Sequence, residues 1–183
     1  MVLLQKNSME IASIIKNDFN IESLAHLTCL SSTKEDIVYI LDALKNNGIE
    51  NILALRGDFP KKDFINQIPN PLQFGYAQDL IAFIRERYED TFSIGGACYP
   101  EGHLESRSLT QDLLNLKTKV DTGADYLISQ LFFDNEVFYN FLDQSQKIGI
   151  NIPIIAGIMP VINSRQIQNI ITLSGSSMPK KYA

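Results

Sequence analysis

Apolar residues in this sequence change period again and again, and that alternation limits the available folds more than any other feature. Helical spacing from residue 9 onward, with Ile11, Ile14 and Ile15 on one face, gives way to the short run Leu24-Ala25-His26-Leu27-Thr28-Cys29. Helical spacing returns in Ile37, Ile40, Leu41 and Leu44, between a capping-box pair, Ser32 with Glu35, and a stop at Gly48. The same reading predicts strands over 51–55, 92–98, 126–132 and 152–158. It predicts helices over 74–88, 109–120 (ended near Gly123), 135–147 and 164–173. Strand and helix in regular alternation mark βα units on a parallel sheet. No long linker interrupts them, so residues 1–183 read as one domain. The poorly patterned stretch Lys61 to Gln73, with Pro69 and Pro71, reads as a functional loop.

Two parallel architectures satisfy this pattern, the doubly wound open sheet and the eight-stranded (β/α) barrel, and both place ligands at the carboxyl ends of strands. Polar residues gather there: His26 and Thr28, then Arg56-Gly57-Asp58, then Tyr99 and His103, then Gln130 and Asp134. A Gly-rich turn after the first strand would announce the nucleotide-binding open sheet, and neither G-x-G-x-x-G nor a Walker A sequence is present. Gly95-Gly96 is too little to replace it. The fold expected is therefore α/β of the (β/α)8 barrel type, incomplete in this chain, with about five βα units.

Charge and composition remove several classes of function. The 16 basic residues are scattered against 21 acidic ones, a net charge of -5, which argues against nucleic acid as a partner. Two cysteines make no disulfide framework, and no signal peptide or long apolar span is visible, so a cytoplasmic chain without a membrane partner is expected.

Some residues carry candidate chemistry. Arg56-Gly57-Asp58 follows a nearly all-apolar strand and presents a cation and an anion at a turn, either to grip a polar ligand or as a solvated ion pair. His26, Cys29, Cys98 and His103 are the only soft metal ligands, but His26 and Cys29 fall on opposite faces of a strand. No metal is expected, and the cysteines read as buried or half-buried. Asp112, Asn115 and Lys119 share one helix face beside the packing residues Leu113, Leu114, Leu116 and Val120. That polar set either lines a cofactor groove or is a solvated surface. Phe132, Phe133, Phe138, Tyr139 and Phe141 read as core.

Taken together, several stretches resemble the methylenetetrahydrofolate reductase family. They are His26 through Cys29, Asn47 through Ile49, Leu53 through Asp58, Tyr99-Pro100-Glu101 with His103, Asp112 through Lys117, Gln130 through Asp134, and Pro153 through Pro160, in the family's order and spacing. The resemblance implies a (β/α) barrel that binds FAD and uses NADH or NADPH to reduce 5,10-methylenetetrahydrofolate to 5-methyltetrahydrofolate, in one-carbon and methionine metabolism. It implies FAD contacts from His26, Arg56, Gly57, Asp58, Tyr76, Tyr99, His103, Asp112, Asn115 and Lys119, with Ser106 and Thr118 at further contact positions. Thr118 stands where a basic residue is often found, which weakens a phosphate contact. Asp58 is implied to be the catalytic carboxylate facing both flavin and folate, and Gln130 and Gln166 to hold the pterin or the stacked nicotinamide.

The sequence also departs from the family. A general-acid Glu in a Phe-Glu-Phe-Phe-Pro-Pro type segment is absent, Leu3 through Ser8 stand where a glycine-rich stretch is expected, and the chain ends at Tyr182-Ala183 before a last strand. The chain is thus expected to be a piece of a barrel that does not turn over folate alone, because protonation needs that acid. The rival reading is an inactive remnant or a subunit completed by another chain, since open sheet edges favour association, including homo-oligomers. An aldolase-type barrel is disfavoured because no predicted strand contains a lysine.

Overall fold

A computed structural model of the chain describes residues 2–59, 72–160, 170, 171, 174 and 176–178. Its elements are α1 (Val2–Phe19), β1 (Leu24–Thr28), α2 (Lys34–Asn46), β2 (Asn51–Leu55), α3 (Ala77–Tyr88), β3 (Ser93–Cys98), α4 (Leu109–Asp121), β4 (Tyr126–Ser129), α5 (Asn135–Lys147) and β5 (Ile154–Ile155). The strands run in the order β1-β2-β3-β4-β5, and the recorded pairings are parallel, as βα repeats of a barrel-type α/β fold require. The chain divides into two compact units, Met1–Gly96 with Thr122–Ala124, and Ala97–Asp121 with Asp125–Ala183, passing from one to the other within β3.

In the first unit, β1 and β2 pair Leu24 with Asn51 through Thr28 with Leu55, and β2 continues the ladder from Asn51–Ser93 to Ala54–Gly96. Side chains alternate across this sheet. Ala25 and Leu27 are buried while Leu24 and His26 are exposed. Leu27, Ile37, Leu41, Leu44, Ile52 and Ile84 are almost wholly removed from water, each such side chain contributing about 1.5–3 kcal/mol. The helical period of α2 thus delivers one continuous packing face.

Helix ends depart from the sequence reading in instructive ways. The N-cap of α2 is Thr33, whose hydroxyl accepts from the Asp36 N–H at 3.1 Å while the Asp36 carboxylate accepts from the Thr33 N–H at 2.9 Å. Ser32 and Glu35 do not form the box, because the Ser32 hydroxyl donates to the Thr28 carbonyl. Gly48 does end α2, with φ +71. Helix α1 begins at Val2 rather than near residue 9, and Ile11, Ile14 and Ile15 share a face that is exposed. The buried contact of α1 comes instead from Ala12. Helix α3 starts at Ala77, three residues later than expected, with Phe74 buried and edge-on to Phe83.

The second unit is built on Cys98, Leu116, Leu127, Phe138, Phe141 and Ile150, with Leu113, Val120, Phe132 and Ile154 packed against them. Phe132 and Phe138 stack with centroids 4.5 Å apart, so these aromatics are core, as read from the sequence. Leu114 and Tyr139 are exceptions: both are exposed, on the solvent sides of α4 and α5. Strand β4 stops at Ser129 and β5 is only Ile154–Ile155, against the longer runs expected. The helix expected over 164–173 and the loop over 61–73 lie mostly outside the described residues. Among the described residues no helix is long and apolar enough to cross a membrane.

Candidate active site

The first unit presents three strand or helix ends. His26 sits on the exposed face of β1, opposite Leu53 in the register, whereas Cys29 just beyond the strand is fully buried. Burial, reinforced by the Asp79 charge, pushes the Cys29 thiol up to about 12, so it stays protonated. Histidine and cysteine diverge as the strand period demands. Among the described residues no cluster of His, Cys, Asp or Glu could hold a metal ion.

After β2 the backbone turns at Gly57, with φ +85. A Cβ there would stand 3.0 Å from Thr28 Cβ and 3.3 Å from its Cγ2. Glycine is required twice over, by conformation and by the close approach of a β-branched side chain. The Arg56 Nε donates to the Gly57 carbonyl at 3.4 Å, and its guanidinium lies over the Phe59 ring at 5.4 Å. Asp58, between them in sequence, is exposed. Gly57→Ala is expected to destabilise the protein by about 1–2 kcal/mol. A thermal melt matching that of the unsubstituted protein would count against this view of the turn.

Tyr76 is the N-cap residue of α3, with its ring exposed. Its N–H and that of Gly75 donate to one oxygen of Asp79, at 2.9 and 2.8 Å. The Tyr76 carbonyl accepts from the Cys29 thiol at 3.6 Å. The sequence reading did not single out Asp79. Its signal was available, an acid at the third position of a helix, where carboxylates bond orphan N–H groups.

The second unit assembles a tighter polar group. The His103 ring stands edge-on to Tyr99, centroids 4.7 Å apart, and its Nδ1 accepts from the Glu105 N–H at 3.1 Å. A neutral His103 therefore carries its ring proton on Nε2. The backbone N–H of His103 donates to the Asp112 carboxylate, yet burial outweighs this and raises the Asp112 pKa. Lys119 donates to the Ala97 carbonyl of β3 at 2.6 Å, and burial lowers its pKa against the pull of Cys98 and Asp112. Burial also pushes the Cys98 thiol up to about 12.

Of the polar face expected on α4, Asp112 and Lys119 turn inward, but Asn115 is exposed and accepts from the Gln111 amide at 3.0 Å. Thr118 is also exposed, its hydroxyl donating to the Leu114 carbonyl at 3.0 Å. Ser106 donates through its hydroxyl to Ser108 and through its N–H to the His103 carbonyl, which folds the turn back on itself. Gln130 follows β4 directly; its N–H donates to the Cys98 carbonyl at 2.7 Å, and its side-chain oxygen accepts from the Leu131 N–H. It lines a shallow recess with Tyr99, Glu101 and Ser176. Glu101 entered the sequence reading only as part of the Tyr99-Pro100-Glu101 stretch and was given no role; both its carboxylate oxygens accept from the Ser177 N–H, at 2.9 Å from the nitrogen. Gln166 lies outside the described residues.

Comparison with known proteins now bears on these strand ends. The family model described as methylenetetrahydrofolate reductase matches residues 4–183. An Arabidopsis thaliana protein named methylenetetrahydrofolate reductase (NADH) 1 is 42% identical over 166 residues, 85% of this chain and 28% of that one. A probable methylenetetrahydrofolate reductase (NADPH) of Caenorhabditis elegans is 40% identical over 174 residues, 95% of this chain and 26% of its own length. The 5,10-methylenetetrahydrofolate reductase of Salmonella typhimurium is 39% identical over 165 residues, 90% of this chain and 53% of the bacterial one. The chain thus spans between about a quarter and a half of these relatives. Among solved structures, a Clostridium thermocellum protein that binds two copies of 5-methyl-5,6,7,8-tetrahydrofolic acid shares the fold at TM-score 0.61 and 16% identity, over 92% of this chain and 55% of that one. A 2,3-dimethylmalate lyase shares it at 0.57 and 11%, over 91% and 56%. With a family model matched along nearly the whole sequence and relatives this similar, the chain belongs to the methylenetetrahydrofolate reductase family.

Proposed function

We propose that residues 1–183 form one domain of a cytoplasmic, FAD-dependent reductase that converts 5,10-methylenetetrahydrofolate to 5-methyltetrahydrofolate with NAD(P)H, supplying methyl groups for methionine synthesis. The observation that carries this reading is the family match over residues 4–183, whose matched residues include the polar strand ends described above. The names of the relatives support the reaction and the use of NADH or NADPH, and the folate-binding structural neighbour supports the substrate class.

The donor set suits a flavin nucleotide. Asp112 offers a half-buried carboxylate for ribose hydroxyls, Lys119 a cation for phosphate, and His103 and Asn115 further polar groups, with Ser106 and Thr118 nearby in sequence. By the family resemblance, His26, Arg56, Gly57, Asp58 and Tyr76 of the first unit and Tyr99 of the second are further candidates for FAD contact. When bound, FAD supplies the hydride chemistry. The residues of this chain bind and orient it, while Gln130 and Gln166 hold the folate or nicotinamide. Titration of the purified protein with FAD tests the reading: a shifted flavin absorbance that survives desalting is expected, and an unchanged spectrum at saturating FAD would overturn it.

Asp112 gives this assignment a stability consequence. Its folded pKa lies above the usual 3.8, so the fold favours the protonated acid. That contribution is complete below 3.8 and is lost as pH rises through the folded value, leaving a charged, partly desolvated carboxylate at pH 7. Asp112→Asn keeps an acceptor for the His103 N–H and removes the charge. With solvent screening taken into account, the apo-protein is expected to melt up to about 2–4 °C higher at pH 7. FAD affinity should fall about tenfold through loss of a charge-assisted hydrogen bond. Melting curves at pH 7 and near 3.8, where the gain should disappear, check the sign.

A further inference from the structure

Tyr76 is held from both sides by groups that no functional assignment above uses. On one side the Asp79 carboxylate takes the N–H groups of Gly75 and Tyr76 at 2.8 and 2.9 Å. On the other, the Tyr76 carbonyl accepts from the Cys29 thiol at 3.6 Å. Cys29 is fully buried, and its own N–H is shared between the carbonyls of Leu55 and Arg56, each at 3.2 Å, with Leu30 adding a 2.9 Å bond to Arg56. The Cys29 sulfur also lies 3.8 Å from the Arg56 carbonyl. One residue at the end of β1 thereby touches the backbone of the turn after β2 and of the N-cap of α3. Tyr76 itself is 62% exposed although its N–H and its carbonyl are both bonded.

We propose that Asp79 and Cys29 are positioning residues that clamp the Tyr76 peptide, and through it present the exposed Tyr76 ring at a fixed place for the flavin. This rests on the FAD reading given above, since Tyr76 is one of its contacts. The alternative is ordinary helix capping by Asp79 and passive filling by Cys29. The two differ in one respect: a clamp acts through Tyr76, a cap does not. Cys29 contributes as a donor, because a thiol buried this deeply keeps its proton.

A double-substitution cycle on the purified protein separates them. Asp79→Ala is expected to raise the FAD dissociation constant about tenfold when Tyr76 is present and less than about twofold in a Tyr76→Ala background, the non-additivity of residues acting as a unit. Equal losses in both backgrounds would overturn the proposal. Should Asp79→Ala fold poorly, Asp79→Asn, which keeps one acceptor oxygen, should show a smaller loss with the same dependence on Tyr76. Cys29→Ser preserves a donor and should bind FAD more tightly than Cys29→Ala; the reverse order would contradict a donor role.

A readout independent of FAD uses the absence of tryptophan from the sequence. Tyr76→Trp installs a single reporter, whose fluorescence anisotropy in the apo-protein should fall when Asp79→Ala or Cys29→Ala is added. If the unsubstituted protein bound no FAD, the cofactor reading would fail by itself, and the anisotropy would still test whether Asp79 and Cys29 hold residue 76. An anisotropy unchanged by both substitutions would refute it.

Discussion

Replacing Asp58 by asparagine in a full-length version of this protein is expected to slow reduction of methylenetetrahydrofolate about a hundredfold while leaving FAD affinity within about twofold, as for loss of one electrostatic contact that strengthens in the transition state. The turn that carries Asp58 is anchored independently of its carboxylate. Gly57 holds a backbone conformation that needs no side-chain support from Asp58, and its carbonyl accepts from Arg56 Nε. The Arg56 carbonyl is bonded by the N–H groups of both Cys29 and Leu30. Removing the Asp58 charge should therefore change electrostatics without moving the turn. In the proposed reductase the Asp58 anion would favour cationic character in the folate, and asparagine of nearly the same shape would not. In kinetic terms kcat and kcat/KM should fall together, the mark of an interaction made in the transition state. Rapid mixing of the reduced enzyme with folate measures the affected half-reaction directly. Rates equal to those of the unsubstituted enzyme would remove Asp58 from the catalytic assignment.

How much of this was legible in the sequence depended on whether the determining contact was local. The βα alternation is local, so the strands and helices were found, and the polar strand ends with them. Boundaries failed where two local patterns overlapped. Ser32 with Glu35 and Thr33 with Asp36 are both capping boxes on paper, one residue out of step. The choice falls to Thr33 because the Ser32 hydroxyl is already committed to the Thr28 carbonyl. Strand β5 is shorter than its apolar run for a similar reason. Pro153 has no N–H to give and only accepts, from Leu127, while the Gly157 N–H is diverted to a side chain, the Ser129 hydroxyl.

The candidate site was legible to the extent that helical periodicity could reach. Spacing placed Asp112, Asn115 and Lys119 on one face, but it could not show that Lys119 would be bonded to the Ala97 carbonyl of β3 while Asn115 remained in water. That difference is set by a contact 22 positions away in sequence. Contacts distant in sequence were invisible for the same reason. Glu101 with Ser177 spans 76 positions, and Cys29 with Tyr76 spans 47. Tyr76 was reached through family resemblance, and the residues that hold its peptide only through the fold.

The diverted Gly157 N–H leads to the largest expected loss of stability. A Cβ added to Gly157 would stand 2.0 Å from the Ser129 carbonyl oxygen and 3.1 Å from its carbon. Both are backbone atoms of Ser129, the last residue of β4, so no rotamer change can relieve the overlap, and the segment after β5 must move away from the end of β4. Such movement would break the Gly157 bond to the Ser129 hydroxyl, now 2.9 Å, and strain the pairing of Leu127 with Ile154 and Ile128 with Ile155. Overpacking of this kind costs about 1–3 kcal/mol, and the lost hydrogen bond about 1 more. Gly157→Ala should thus lower Tm by roughly 4–16 °C, at about 2–4 °C per kcal/mol for a domain of this size. Ser129→Ala, which removes only the acceptor, should cost about 1 kcal/mol and serves as the comparison. The effect should reach function as well, because Gln130 directly follows Ser129 and its backbone carbon would lie 3.5 Å from the new methyl. In a full-length version of the protein a raised KM for folate is expected at temperatures where the variant is still folded. A Gly157→Ala protein that melts within about 2 °C of the unsubstituted one, less than 1 kcal/mol can produce, would show that β4 and β5 do not approach as closely as described.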